Sequence, residues 1–374
     1  MNNSLTQYFN PVKVVQTNSW LIELNDQQEK LAINSPLVIT SAGNRKRLNL
    51  DSIFSSSSIF DNCNVNPTFD DCERAIQFCQ DKTIDGIVAI GGGSVMDLAK
   101  VVIANVCLEL NDINNLISFD SEYPKTIPSI FLPTTHGTAS EVTMWGTIWD
   151  MDEKKKYSIS NPSLYPTIAI LDGSVTLSLS LENSIITVLD ALSHGFESIW
   201  NKNKNSTTVN FAIDSIVIIL KNIDSFKSNT NNLELRNKLL IAANKAGLAF
   251  SNTKTAAAHS ISYPLTSYYD IPHGIASSLS LIPLMEINGP SVEFEFNKII
   301  EDSGLKSIDD LKSLVKTIPQ SILKYSLHDW GMRKNDIDFI VEKSFTKGRM
   351  ENNIVNLNES NVKEILEKIF FLYD

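Results

Sequence analysis

The chain has 374 residues, more than a single hydrophobic core usually organises, so its length predicts two domains. Its composition, 43% hydrophobic and 20% charged, is close to the globular average and excludes a disordered or fibrous chain. A formal net charge of −11 makes nucleic acid and anionic membranes poor partners. Met1–Asn10 lacks a signal-peptide pattern, no apolar run is long enough to span a membrane, and four cysteines form no C-x-x-C pair, so a cytoplasmic protein with free thiols is expected.

The first half of the chain alternates short apolar segments with segments of helix length. Each apolar segment is bounded by Pro, Gly, Asp or Thr, which is typical of strands buried on both faces of a sheet. The predicted strands are Leu37–Thr40, Gly86–Ile90, Ser129–Leu132 and Ile168–Leu171, and helices are predicted at Phe69–Lys82 and Val95–Leu108. This alternation predicts an α/β domain with a parallel sheet, over residues 1–178.

The second half of the chain has no strand pattern, and its apolar residues recur at spacings of three and four. The predicted helices are Ser184–Asn201, Thr208–Ile223, Leu233–Phe250, His273–Glu286, Ser307–Lys316, Pro319–Tyr325 and Asn361–Tyr373. Residues 179–374 are therefore expected to form an all-α domain, with the boundary between 175 and 182.

A glycine-rich turn follows the predicted strand Gly86–Ile90. Gly91, Gly92 and Gly93 would let a ligand approach the backbone, and the helix that follows offers unpaired N–H groups and the positive end of its dipole. The turn predicts a pyrophosphate site, although a tight strand-to-helix turn without a ligand explains the same residues. Ser94 and Asp97 have the spacing of a capping box.

A second turn, Pro133–Thr143, is rich in threonine and follows the predicted strand Ser129–Leu132. Its hydroxyl groups would lie at the carboxyl end of a strand, where open parallel sheets bind their ligands. Two such turns favour a common ligand.

Three of the five histidines accompany a carboxylate in a pattern that suits a metal ion. Asp190 and His194 are four residues apart on a predicted helix and would share one face. His259 and His273 would have to join them through tertiary folding. One carboxylate and three imidazoles suit Fe(II) or Zn(II) better than calcium or magnesium, but an isolated histidine is more often a satisfied core or surface residue.

These motifs together resemble those of the iron-dependent (group III) alcohol dehydrogenase family, over essentially the whole chain. The resemblance implies that the cofactor is bound by Gly91, Gly92, Gly93, Ser94, Asp97 and Lys100 in the first turn and by Thr134, Thr135, Thr138 and Ser140 in the second. It implies that the metal ligands are Asp190, His194, His259 and His273, the last two separated by thirteen residues as in the family.

Two further positions fit the family pattern. Asn66, in an Asn-Pro-Thr element, corresponds to a residue near the active site. Lys156 corresponds to a residue that touches the cofactor ribose. It also belongs to a run of three lysines, however, and could simply be a solvated surface residue.

The resemblance implies a Rossmann-like N-terminal domain, a helical C-terminal domain and a cleft that holds nicotinamide against the metal. Fe(II), with zinc as an alternative, would act as a Lewis acid on the substrate oxygen while the nicotinamide transfers hydride. The partners implied are a small aldehyde or alcohol and, within the family, a homodimer or larger assembly.

Departures from the family pattern concern the substrate. Tyr263 occupies the position of a proton-relay histidine found in many members, and His136 replaces a small residue. The segment 250–266 is most similar to the phosphonoacetaldehyde reductase branch, which makes 2-hydroxyethylphosphonate. Lys254, five residues before a metal ligand, would supply a cation for the phosphonate, and His136 is a second candidate contact.

The turn after the first predicted strand bears on the choice of cofactor. An aspartate here would bind the 2′-hydroxyl of NAD and repel the 2′-phosphate of NADP, but residues 38–47 contain no acid. Ser41 would hydrogen-bond the phosphate, and Arg45 or Lys46 would neutralise it, unless these basic residues are merely solvated. NADPH is therefore expected to be accepted at least as well as NADH.

Three alternative functions compete with this interpretation. The nearest is a broad-specificity primary alcohol dehydrogenase or lactaldehyde-type reductase, which would gain nothing from Lys254. A lyase similar to dehydroquinate synthase would share the architecture and the use of NAD and metal. A degenerate binding protein is disfavoured because all four metal ligands are present.

Overall fold

The computed structural model describes residues 7–110, 112–151 and 155–373. The contacts between Cα atoms divide the chain into two compact units, with the division between Ser178 and Leu179. Residues 7–10 group with the second unit although they precede the first in sequence. The reason is a pair of hydrogen bonds in which the backbone of Phe9 donates to and accepts from the side chain of Asn252, each at 2.9 Å.

The first unit, Pro11–Ser178, is built on a six-stranded parallel sheet and a separate two-stranded hairpin. The strands of this unit are β1 (Lys13–Gln16), β2 (Pro36–Thr40), β3 (Ile59–Phe60), β4 (Gly86–Gly91), β5 (Ser129–Pro133), β6 (Trp145–Asp150), β7 (Lys155–Ser160) and β8 (Ile168–Leu171). The order in the large sheet is β1-β8-β5-β4-β2-β3, and β6 pairs antiparallel with β7.

Both faces of the large sheet are covered, as its continuous apolar strands predict. Because successive side chains alternate between faces, Leu37 and Ile39 join one buried cluster and Val38 joins the other. The helices of the unit are α1 (Trp20–Lys30), α2 (Ala42–Arg47), α3 (Phe69–Cys79), α4 (Gly93–Leu108) and α5 (Ile113–Ser118). The long apolar helix α4 follows the central strand β4 and packs within the first cluster.

The second unit consists of helices around one large core. Its helices are α6 (Leu181–Ile199), α7 (Ser206–Ser228), α8 (Leu233–Thr253), α9 (Ala257–Tyr269), α10 (His273–Leu279), α11 (Leu281–Asn288), α12 (Glu293–Ser303), α13 (Ile308–Thr317), α14 (Ile337–Lys343) and α15 (Glu359–Leu372). Helix α6 is buried along most of its length.

Two of the predicted helices differ from those in the structure. Pro319–Tyr325 was expected to be helical, but this segment forms turns. The stretch His273–Glu286 is two helices, because the chain bends at Ser280 between α10 and α11.

Among the described residues, no helix has both the length and the apolar character that crossing a membrane would require.

Candidate metal centre and dinucleotide loops

Helix α6 carries two of the expected metal ligands. It begins after Ser180, whose hydroxyl accepts a hydrogen bond from the backbone N–H of Asn183 at 3.2 Å. Asp190 and His194 lie one turn apart near its middle and are 3% and 5% exposed, respectively. Their four-residue spacing therefore puts both side chains on the same buried face, as the sequence predicts.

The other two imidazoles arrive on neighbouring helices. His259 lies in the first turn of α9, and His273 is the first residue of α10. The backbone of Gly274 runs against α6 so closely that an added Cβ would lie 2.0 Å from the carbonyl oxygen of Ile186. This close approach brings His273 to the face of α6 that carries Asp190.

All four side chains meet around one carboxylate oxygen. Oδ1 of Asp190 lies 3.6 Å from Nε2 of His259, 3.8 Å from that of His273 and 4.0 Å from that of His194. Metal bonds of about 2.0–2.2 Å at a tetrahedral angle separate neighbouring ligand atoms by roughly 3.3–3.6 Å. Among the described residues, the ligand atoms of Asp190, His259 and His273 all lie within 4.8 Å of one another, so a transition-metal ion fits among these three after a small contraction. His194 is not part of this group, although its Nε2 approaches the same carboxylate oxygen to 4.0 Å.

The ring of His194 is held from both sides. On one side it stacks on Phe250, with ring centroids 4.0 Å apart, and on the other it stacks on His259 at 4.6 Å. The two planes deviate from parallel by only 12° and 18°. This sandwich fixes the direction in which the imidazole of His194 faces.

Glu197 is a functional residue that the sequence interpretation missed. It is fully buried, and its two oxygens accept hydrogen bonds from the ring Nδ1 of His259 at 2.6 Å and from the backbone N–H of the same residue at 3.0 Å. A carboxylate bound to Nδ1 leaves Nε2 as the ligand atom and makes it a stronger donor. The signal was available in the sequence, since Asp190, His194 and Glu197 have the spacing of one helical face.

The electrostatics of the cluster favour a cation. Burial alone would raise the pKa of Asp190, but the three imidazoles hold it well below its usual range. Burial alone would lower the pKa of His259, but the carboxylates of Glu197 and Asp190 raise it to about 10. Nε2 of His259 is buried and has no hydrogen-bond partner among the described residues, which is the state expected of an atom that coordinates a metal.

Replacing Glu197 with glutamine is expected to weaken metal affinity about 10- to 100-fold, because a neutral amide holds the His259 ring less firmly. Competition against a chelator measures this affinity independently of turnover. The matched control is Glu182→Gln, which changes an exposed residue in the first turn of the same helix. Equal affinity in both variants would mean that Glu197 does not orient the ligand.

Two residues expected near the substrate also belong to the helical unit. The ring of Tyr263, one turn after His259 on α9, lies parallel to that of His273, with centroids 6.3 Å apart. Lys254 follows the last residue of α8 and is exposed. The structure thus places Tyr263 next to His273, one of the candidate metal ligands. Lys254 lies one helical turn after Phe250, and Phe250 stacks on His194, a second candidate ligand.

In the α/β unit, the two predicted loops follow strands that are hydrogen-bonded neighbours, with Gly91 opposite Pro133. A Cβ added to Gly92 would lie 3.0 Å from the side chain of Thr135, and a Cβ added to Gly93 would lie 2.7 Å from that of Thr138. Glycine is therefore required for the loops to pack together. No side chain of the described residues caps the first turn of α4, whose N–H groups suit a phosphate.

The predicted capping box of Ser94 and Asp97 is wrong, because α4 begins at Gly93 with Gly92 as its N-cap. Ser94 instead accepts a hydrogen bond from the backbone N–H of Asn66 at 3.0 Å. Asp97 accepts one from Ser140 at 2.7 Å, in the second loop. These bonds tie the Asn-Pro-Thr element and the second loop to the start of α4.

Lys100, expected among the cofactor contacts, is fully buried. Its ammonium lies within 2.9 Å of four protein oxygens, contributed by Ser140, Thr143 and Trp145. Burial lowers its pKa to about 8, although Asp97 and Glu141 oppose this shift. Three of these oxygens belong to the second loop and the fourth, the carbonyl of Trp145, to the start of β6, so Lys100 joins the loop to the strand that follows it.

The basic residues after β2 differ in their availability. Ser41 is the N-cap of α2 and accepts from the backbone N–H of Asn44 at 3.3 Å. Arg45 is not the free counter-charge that the sequence suggested, because it pairs with Asp51 at 2.5 Å and Asp61 at 3.3 Å. Lys46 is exposed, in contrast.

Two more candidates have clear local surroundings. His136, a candidate contact for the substrate anion, is 0% exposed, and its Nε2 lies 3.1 Å from the hydroxyl of Thr176. Its side chain therefore lies in the interior of the unit. Lys156 lies on β7, with its ammonium 5.8 Å from the ring of Trp149 on the paired strand.

Family models match both halves of the chain. The model described as iron-containing alcohol dehydrogenase matches residues 11–173, and the C-terminal model of the Fe-containing alcohol dehydrogenase family matches residues 184–370. Together with these matches, the fold defines an oxidoreductase. The chain belongs to the iron-containing alcohol dehydrogenase family, whose members use iron and NAD(P), and this decides against the lyase alternative.

Three relatives illustrate the range of the family. A probable alcohol dehydrogenase EutG of Escherichia coli is 30% identical over 72% of this chain and 67% of its own. An NADPH-dependent butanol dehydrogenase of Clostridium saccharobutylicum is 27% identical over 77% of both chains. The structure of sulfoacetaldehyde reductase from Bifidobacterium kashiwanohense in complex with NAD+ is 25% identical and covers 99% of this chain and 100% of its own, with a TM-score of 0.89.

Proposed function

We propose that the protein reduces a small aldehyde that carries an anionic group to the corresponding primary alcohol, with NAD(P)H as hydride donor. Phosphonoacetaldehyde, giving 2-hydroxyethylphosphonate, is the substrate that we favour. The observation that carries the proposal is Lys254, whose exposed ammonium has no ion-pair partner among the described residues. The sulfoacetaldehyde reductase supports it, since that relative's substrate is also an aldehyde with an acidic group.

The residues of the metal centre have different roles in the proposed reaction. Asp190, His194, His259 and His273 would hold a divalent ion, which would supply Lewis-acid polarisation of the substrate carbonyl. Asp190 provides a negative charge within 4.0 Å of all three imidazoles, and Glu197 keeps Nε2 of His259 turned toward the centre of the cluster. Tyr263, parallel to the ring of His273, holds a proton at its phenol oxygen and is our candidate for the group that donates to the product oxygen.

The dinucleotide would be bound by the two loops of the α/β unit. The first-turn N–H groups of α4 and the hydroxyls of Thr134, Thr135 and Thr138 are the proposed phosphate contacts. We assign Asn66 to the surroundings of the active site and Lys156 to contact with the cofactor ribose, as the family resemblance implies. Asp97, Lys100 and Ser140, which bond one another, are assigned a positioning role for the second loop.

Replacing Lys254 with methionine is expected to raise KM for phosphonoacetaldehyde far more than KM for propanal. A charge-assisted hydrogen bond is worth about 1.5–3 kcal/mol, which corresponds to roughly 10- to 150-fold. Steady-state kinetics on both aldehydes measure the difference. The matched control is Lys238→Met, which removes an α8 lysine already paired with Glu234 at 2.6 Å and should not discriminate between substrates. Equal losses on both aldehydes would favour a broad-specificity alcohol dehydrogenase.

We expect NADPH to be accepted at least as well as NADH, because residues 38–47 present no carboxylate to repel a 2′-phosphate. With Arg45 committed to carboxylates, Lys46 is the remaining candidate for the counter-charge. Ser41→Asp should shift preference toward NADH, and kcat/KM for the two cofactors measures it. A preference for NADH above about tenfold, or 1.4 kcal/mol, in the unmodified protein would contradict this expectation.

A further inference from the structure

The backbone of Lys254 has a conformation that suits glycine. Its φ is 64° and its ψ is 173°, in a region that side-chain-bearing residues almost never adopt. Asn49, Glu109 and Asp270 also have positive φ, but their ψ values of 24–46° belong to the tolerated left-handed helical region. Lys254 is therefore strained in a way that these residues are not.

Three asparagine side chains hold this strained backbone in place. They donate to three consecutive carbonyl groups, those of residues 253–255, which we call the clamped segment. The bonds run from Asn203 to Thr253 at 3.3 Å, from Asn201 to Lys254 at 3.1 Å and from Asn352 to Thr255 at 2.9 Å. Strained conformations persist only where the surroundings over-determine them, and this set of bonds meets that condition.

The clamped segment lies between two residues of the metal centre along the chain. The N–H of Lys254 donates to the carbonyl of Phe250 at 2.8 Å, and Phe250 stacks on His194. At its other end the chain enters α9, whose first turn contains His259. The clamped segment thus connects a residue that stacks on His194 to the helix that carries His259.

We propose that the clamped segment is a preformed anion-recognition element, in which a lysine is retained at a glycine position so that its ammonium leaves the backbone in one fixed direction. This inference rests on the proposed function, because it assigns the strain to recognition of the anionic end of the substrate. A fixed backbone lowers the ordering cost of binding through a long flexible side chain. The three asparagines are positioning residues that act through Lys254.

The strain is tested by comparing Lys254→Gly with Lys254→Ala. At an ordinary position glycine is the less stable of the two, since it loses more backbone freedom on folding. Here we expect the reverse, with Lys254→Gly melting about 2–4 °C above Lys254→Ala. Both variants lack the ammonium, so the comparison isolates the backbone. If Lys254→Ala melts at the same temperature or higher, the strain is absent and the inference is wrong.

The positioning role is tested with the double variant Asn203→Ala/Asn352→Ala, which leaves Lys254 and the buried Asn201 in place. We expect KM for phosphonoacetaldehyde to rise about 2- to 13-fold with a much smaller change in kcat, and Lys254→Met to add little further loss in this background. An unchanged KM, while Lys254→Met alone still discriminates between aldehydes, would overturn the clamp and leave the proposed function standing. Equal losses for Lys254→Met on charged and neutral aldehydes would overturn both.

Discussion

His259→Ala is expected to abolish metal binding and turnover while leaving the helical unit folded. Of the three imidazoles, that of His259 brings its Nε2 nearest to Asp190, and in the part of the chain that the structure describes this buried atom has no hydrogen-bond partner. Since loss of a residue that merely orients a ligand costs about 10- to 100-fold, loss of the ligand itself should exceed that range. Metal content per chain and far-ultraviolet circular dichroism measure the two effects separately.

The control for this variant is His328→Ala, which removes an exposed histidine of the same unit outside the cluster. It should retain full metal content. Near-native metal in His259→Ala would show that His259 is not a ligand. His273→Ala and Asp190→Asn are expected to follow His259→Ala, since each also removes one member of the cluster.

Gly274→Ala should disrupt the same centre without touching a ligand. The new Cβ would lie 2.0 Å from the backbone oxygen of Ile186, so α10 has to move away from α6 and carry His273 with it. Forcing atoms into a packed interface costs about 1–3 kcal/mol or more, and here the obstacle is backbone that cannot rotate aside. The melting temperature and the metal content per chain should both fall.

Gly289→Ala provides the comparison, because its added Cβ would lie 3.4 Å from the ring of Phe296, an ordinary contact. This variant should keep its metal and its melting temperature. If Gly274→Ala behaved in the same way, the close approach of α10 to α6 would not be what positions His273.

The parts of the fold that the sequence predicts well are those in which one physical cause dominates. The central strands are continuous apolar segments, because both faces of the sheet are covered, and they are recognised without knowledge of their partners. The hairpin β6–β7 was missed because its residues are only partly buried and include lysines. Helix α9 was missed because Pro264 lies inside it, and proline usually ends a helix.

The site was predicted in its ligands but not in its supports. Asp190 and the three histidines have side chains that are typical metal ligands. Glu197 is recognised only when the spacing of Asp190, His194 and Glu197 is seen to place all three on one face of a helix. The role of Lys100 depends on a loop forty residues further along the chain, and no local pattern reveals it. The strain at Lys254 cannot be predicted from the sequence, because a lysine gives no indication that its backbone has a positive φ typical of glycine.

The three helices that carry the candidate ligands, α6, α9 and α10, all belong to one unit, and binding of a metal there would link its supply to folding. An ion that binds only the native state stabilises it by about 2.7 kcal/mol when its free concentration is a hundred times Kd. That stabilisation acts on the helical unit directly, whereas the α/β unit contributes no ligand. Scarcity of metal would then lower the abundance of intact protein as well as its specific activity, since the empty helical unit opens more often to proteases.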